Sequence, residues 1–346
     1  MGLWYTTREQ VKRAAQINGP DSNPSIDRLL ESASREVEDS LNRWFYPLTA
    51  IRYYPYPSTH SPTAYRYWLN ADLIEVTTLV SGGVTIAPAD YFKEPVNYGP
   101  PYNRIEIDLA SSAAFQAGAT WQQALAVTGR WGYCEDSIAA GALAEADDGT
   151  ETALDVTDSS LIGVGDLILV GTERMIVTEK TLIATGAIIA TTALTADESN
   201  TTVVTSSGAS CKQGETVTID AERMLIESIS GNNLAVKRAY DGSVLASHNI
   251  AAVIYAPRTL TVERHAVGTT AAAHNIAATI TKNVPPGLIS ELCLAEVIYG
   301  LTQEKGSFAL TAGQGEAIKE ISGKGIADVR KRASDAYGRT RGPRAI

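Results

Sequence analysis

The stretch Pro24–Pro47, PSIDRLLESASREVEDSLNRWFYP, decides how the chain is read. Its apolar residues Ile26, Leu29, Leu30, Ala33, Val37, Leu41, Trp44 and Phe45 are separated by steps of 3, 1, 3, 4, 4, 3 and 1, the period of an amphipathic helix. Asn23 is placed to cap it, with Pro24 at the first helical position. Pro47 ends it, because the residue before a proline avoids helical backbone. At about 1.5 Å per residue such a helix runs roughly 33 Å. Arg28, Glu31, Arg35, Asp39 and Arg43 lie on the other face, with Glu31/Arg35 and Asp39/Arg43 in the favourable i,i+4 order.

Upstream, Thr6 and Glu9 have capping-box spacing for a short helix that Gly19-Pro20-Asp21 breaks. Downstream the pattern changes to alternation. Ile51–Tyr56, Tyr65–Leu69, Leu73–Val80, Val84–Ile86, Ile105–Leu109 and Leu125–Tyr133 read as strands, with Ser81-Gly82-Gly83 a hairpin turn. The residues from Asp90 to Tyr102 read as a loop. Trp68, Tyr91, Tyr102, Trp121 and Trp131 are expected to pack the small sheet, with a sugar platform as the alternative. Near the C-terminus Leu288, Leu292, Ala295, Ile298 and Leu301 form an apolar helical stripe that Gly306 would stop. Ser307–Gly325 reads as an extended segment. Ile326, Val329, Ala333 and Tyr337 then space a last short helix with Arg330, Lys331 and Arg332 on its polar side.

With 346 residues the chain can bury a large core and two domains are expected. The net charge of −10 argues against a general nucleic-acid binder. The charge is uneven: residues 319–346 hold eight Lys/Arg against three Asp/Glu, which leaves −15 on the remainder. Three scattered cysteines, Cys134, Cys211 and Cys293, give neither a disulfide framework nor a zinc motif. The apolar run Leu182–Leu194 is too short to span a bilayer, and no membrane role is expected.

ASREVEDSLNRWFYP resembles the opening helix of the head–tail connector (adaptor) proteins of tailed bacteriophages. The residues that carry the likeness are Ser34, Val37, Glu38, Arg43, Phe45, Tyr53 and Tyr54. A second piece, Thr128–Tyr133, is like the strand that in this family runs directly into a Val-Pro and a helix. Here the Val-Pro, at Asn283-Val284-Pro285-Pro286, comes about 150 residues later. The resemblance therefore covers 1–135 and 285–346, with a tail at 307–346. The stretch 136–284 has no tryptophan or phenylalanine and reads as an inserted β-rich domain. The expected fold is α+β: a helical connector core with a small sheet, plus an inserted all-β barrel or sandwich. Removing residues 137–283 should then leave that core folded.

The insert repeats itself. Gly165–Val177 matches Gly214–Ile226 at an offset of 49, and Leu234–Ala256 matches Leu260–Lys282 at an offset of 26, with 11 of 23 residues kept in the second pair. These periods match no common solenoid. His248/His274 and Glu173/Glu222 are repeat equivalents. A metal pair or a glycosidase carboxylate pair is the functional alternative for them; the expectation is histidines that bond a turn and, at the glutamates, a repeated buried ion pair or edge contact. Asp147-Asp148-Gly149 is a lone acidic turn, and no nucleophile elbow, phosphate loop or His-Glu-x-x-His occurs. No catalytic residue, metal or cofactor is expected, and the chain reads as a non-enzyme.

What the resemblance implies is a virion neck protein, assembled in the host cytoplasm. It would form a ring, usually a dodecamer, that docks on the portal, extends the DNA channel without binding DNA specifically, and offers a surface to a head-closure or tail protein. Lys319, Lys324, Arg330, Lys331, Arg332, Tyr337, Arg339, Arg341 and Arg344 are the expected portal-docking residues. Ile26, Leu30, Val37, Leu41, Trp44 and Phe45 are expected to pack subunits. A β-rich carbohydrate-binding or hydrolytic virion protein is the alternative.

Overall fold

A computed structural model describes residues 2–17, 19–57, 63–305, 311–312, 319–320 and 324–339. The expected helical core with a small sheet is overturned. The described chain is mostly antiparallel β, in sheets of six and ten strands, with four α-helices beside them. The clear 3.6-residue period of one long helix outweighed the strands, whose alternation is interrupted by breaks in register.

Helix α1 (Arg8–Ala15) is capped by Thr7 rather than Thr6, in a reciprocal box with Gln10. Glu9 is engaged elsewhere, accepting the Val164 amide at 3.0 Å. Helix α2 (Asn23–Leu41) has Ser22, not Asn23, at its N-cap, and stops before the aromatic pair because Asn42 turns left-handed at φ 52°. Its buried stripe is Ile26, Leu30, Ala33, Ser34, Val37 and Leu41.

The first sheet contains β1 (Leu48–Tyr54), β2 (Arg66–Ser81), β3 (Val84–Ile86), β4 (Tyr91–Glu94), β5 (Tyr102–Ile107) and β6 (Leu125–Trp131). Its order is β1-β6-β2-β5-β4, with β3 paired to β2. The two runs Tyr65–Leu69 and Leu73–Val80 belong to one strand. A register break between Trp68 and Leu73 lets its first half pair with β5 and its second with β6. Tyr91–Glu94, expected as loop, is a strand. Tyr91 and Trp131 pack the sheet core, whereas Trp68 and Trp121 are each 58% exposed.

The second sheet contains β7 (Ser137–Ala142), β8 (Ala153–Asp155), β9 (Leu167–Val170), β10 (Glu173–Ile188), β11 (Thr202–Val204), β12 (Thr216–Ile219), β13 (Glu222–Ser230), β14 (Asn233–Lys237), β15 (Val253–Glu263) and β16 (Thr279–Asn283). It runs β11-β14-β13-β12-β15-β10-β9-β16-β7, with β8 on β15. At its base the Val284 amide donates to the Asp136 carbonyl at 2.8 Å.

The repeats are nested within this sheet. Shifting the β13–β14 hairpin by the two offsets carries Ser230 onto Thr181 and Asn233 onto Thr259. Both pairs are aligned in register, Ser230 with Asn233 and Thr181 with Thr259. One copy closes its hairpin with Gly231-Asn232, and the other opens the same hairpin to admit the whole of 182–258. Instead of the expected single barrel or sandwich, two copies share the long β10–β15 ribbon. Each has its own core, one around Met175, Val177 and Ile280, the other around Met224, Ile226 and Ile254.

Helix α3 (Gly287–Lys305) packs on α2 through Ile289, Leu292, Cys293, Val297 and Leu301. A two-residue ladder, β17 (Thr311–Ala312) with β18 (Lys319–Glu320), precedes α4 (Lys324–Tyr337). The core of the helices also takes in Val164, Leu167, Ile176 and Ala266 from the outer copy. Gly165, at φ +98°, lies against the Trp4 ring, where a Cβ would collide. Among the described residues no helix is long and apolar enough to cross a membrane.

Candidate functional site

Arg43, Phe45 and Tyr133 meet at one junction with Tyr5 and Tyr337. Phe45 is fully buried, and its ring lies 5.7 Å from Tyr5, 5.4 Å from Tyr133 and 5.6 Å from Tyr337, centroid to centroid. The last two of these contacts join the end of α2 to the ends of β6 and α4, which are far apart in sequence. The Tyr5 hydroxyl donates to Glu38 at 2.8 Å and accepts the Phe45 amide at 3.1 Å. Beside the rings, Asp72 is ion-paired with Arg43 at 2.9 Å and Arg339 at 3.2 Å. Burial pushes the Asp72 carboxyl up, and the two guanidiniums counter this. The Arg43 guanidinium also sits over the Tyr133 ring, 5.0 Å from its centroid. Trp44 donates its indole N–H to the Trp131 carbonyl at 3.2 Å.

Ile26, Leu30, Val37, Leu41 and Phe45, expected between subunits, are buried within this chain's own core; Trp44 is half-buried. The C-terminal basic residues are spent in part on the chain itself. Arg330 binds Glu296 through two bonds of 2.5 and 2.7 Å and lies 3.5 Å from Glu36. Arg332 pairs with Glu291 at 3.2 Å. Arg339 reaches Asp72 and the Leu69 carbonyl, and its amide caps the Leu41 carbonyl at the end of α2. Ala333 is buried and Tyr337 half-buried, so packing does demand this helix. Lys331 is exposed. Arg341 and Arg344 lie outside the described residues, as do the side chains of Lys319 and Lys324.

The repeat carboxylates form two matching ion clusters. Glu222 accepts Arg238 at 2.7 and 2.8 Å, the amides of Ala239 and Ala246, and His248 Nε2 at 2.9 Å. Glu173 accepts Arg264 at 3.1 and 2.6 Å, the amides of His265 and Ala272, and His274 Nε2 at 3.0 Å. Burial would raise both carboxyls, but these donors together hold each down to about 2. The carboxylates are saturated from inside the protein, which leaves them no open position for a metal or a glycosidic oxygen. Among the described residues no group of His, Cys, Asp and Glu is arranged to hold a metal ion.

Sequence reasoning expected a repeated buried ion pair at the glutamates without naming Arg238 and Arg264 as its partners. The signal was present: both arginines are repeat equivalents, as are the glutamates, so one pairing implies the other. It missed Asp72, an isolated carboxylate in a strand with no local pattern. No protein-family profile, curated protein or solved structure matches the chain.

Proposed function

We propose that this chain is a structural protein of a tailed-phage neck, a head–tail connector that assembles as a ring, docks on the portal and presents a surface to the next head-closure or tail protein. The observation that carries the reading is the ordered signature Ser34, Val37, Glu38, Arg43, Phe45, Tyr53, Tyr54, Thr128–Tyr133 and Asn283–Pro286. Three of its members, Arg43, Phe45 and Tyr133, share one junction with the C-terminal helix, which supports reading those three as parts of a single motif. In this reading residues 136–284 are an elaboration inserted between β6 and α3, and the adjacency of Asp136 and Val284 fits that. Assembly would proceed by a heterologous contact that closes on itself. With the α2 stripe occupied inside the chain, the contact falls to exposed surfaces. Exposed Lys331 and the carboxylate-paired face of α4 remain candidates for the portal side.

The second reading, a carbohydrate-binding virion protein, draws on exposed aromatics of the first sheet. Trp68 and Phe92 are 58% and 51% exposed, and Arg104 lies over the Trp68 ring. Negative-stain imaging of the purified chain, alone and mixed with portal rings, tests the first reading. Rings that cap the portal are the expected result. A monomer at high concentration that ignores portal rings and is retained on a glycan column would replace it with the second.

A further inference from the structure

The two nested copies differ at one place that their equivalence makes conspicuous. In the outer copy, Arg174 is buried and ion-paired with Glu135 at 2.5 Å. Its equivalent in the inner copy is Arg223. Both arginines hold the same local backbone geometry: the Arg174 amide donates to Thr269 and the Arg223 amide to Ser243, which are themselves repeat equivalents. Yet among the described residues the Arg223 guanidinium has no hydrogen-bond or ion-pair partner.

Arg223 lies instead on a cleft of about 280 Å³ between α1, the segment 159–163 and the inner copy, where Lys12, Arg13, Lys180 and Asp241 also contribute, and where the acids Glu9, Glu179 and Glu215 are taken up by the Val164 amide, Arg8 and Arg258. In the outer copy the corresponding space is filled. There Trp4 covers Gly165, and Leu167 joins the core of the helices. Their equivalents Gly214 and Thr216 line the open cleft. The Thr216 hydroxyl is buried without a hydrogen-bond partner. Lys12 is held below its ordinary value, first by burial and then by the charge of Arg223. An anion between the two would relieve that repulsion.

We propose that this cleft binds a small anionic ligand carrying a carboxylate or phosphate group, which takes at Arg223 the place that Glu135 takes at Arg174. Lys12, whose ammonium also donates to the Gly19 carbonyl at 2.6 Å and to Asn23 at 3.2 Å, supplies a second positive charge. The volume suits a small molecule, being close to the roughly 300 Å³ at which ligand pockets begin.

The test is titration calorimetry of the full chain with inorganic phosphate, citrate and ribose 5-phosphate, against a sulfate control, for wild type, Arg223→Gln and Arg174→Gln. Saturable one-site binding of at least one of the three is expected, tightest for the class of group the site prefers. Arg223→Gln should weaken it at least tenfold without lowering the melting temperature. Arg174→Gln should lower the melting temperature and leave affinity unchanged. Absence of binding by all three anions at millimolar concentration overturns the proposal, and so does affinity that survives Arg223→Gln. Concentration-dependent self-association lost in Arg223→Gln, with no anion bound, would overturn it as well, by assigning the arginine to a carboxylate of a second copy.

Discussion

Glu173 and Glu222 are completely buried, and each is held by an arginine, two backbone amides and a histidine. Removing the arginine alone would strand a carboxylate in the core. Arg238→Met and Arg264→Met are therefore each expected to destabilise the protein by about 3–5 kcal/mol, read from denaturant midpoints. The sign of the pH effect follows from the same geometry. Both carboxyls are depressed from 4.5 to about 2 in the folded state, so their contribution is complete above the ordinary value and fades as pH falls toward 2. Stability measured by urea should decline between pH 4.5 and 2, and less steeply in the arginine variants. Asp72 and Asp166, pushed up by burial, act with the opposite sign, so the difference between variant and wild type is the quantity to measure. The repeat pattern marked these glutamates and histidines as equivalent and structural. Spacing could not supply the arginine that closes each cluster.

The element that ties the fold together late in the chain is α4. Its apolar positions Ile326, Val329, Ala333 and Tyr337 were readable from their period, because they need only local spacing. Its partners were not, because Glu296, Glu36 and Asp72 belong to two other helices and a strand. Tyr337→Ala removes one wall of the Phe45 cluster and should cost about 3 kcal/mol. Arg330→Glu places a negative charge against Glu296 and Glu36 and should lower the melting temperature, whereas Lys331→Glu, on an exposed position, should change stability by less than about 0.5 kcal/mol. This contrast governs how docking is tested. Truncation after Ser322 would also strip the aromatic junction, and a loss of portal binding would then be open to two explanations. Lys331→Glu keeps the seat intact. Weaker co-sedimentation with portal rings in that variant, with an unchanged melt, would place the contact on the exposed side of α4. Unaltered co-sedimentation would move it elsewhere.

For the whole molecule, the two offsets specify how the copies are arranged. In a tandem duplication both halves of a copy shift in the same direction by the same amount. Here the first half of the inner copy follows its counterpart by 49, and its second half precedes its counterpart by 26. That order can arise only if one copy lies inside the other, and the strand register places the junction at Thr181 and Thr259. The nesting bears on the expectation that all of 137–283 is separable. The outer copy lends Val164, Leu167, Ile176 and Ala266 to the core under Trp4, α2 and α3, so its removal would expose that core to water. The inner copy has a core of its own and joins the outer one through the β10–β15 ribbon, apart from contacts such as the Ser159 amide and hydroxyl donating to Glu215. Replacing 182–258 by Gly-Asn, the turn that the inner hairpin already uses between Ser230 and Asn233, should close the outer hairpin in register. The shortened chain is expected to stay soluble, to keep the helical signal of α1–α4 and to melt in one cooperative transition. It should also lose anion binding, because Arg223 leaves with the excised copy. Aggregation of the shortened chain, or a non-cooperative melt, would mean that the ribbon needs the inner copy to hold its register and that the two copies fold as one unit.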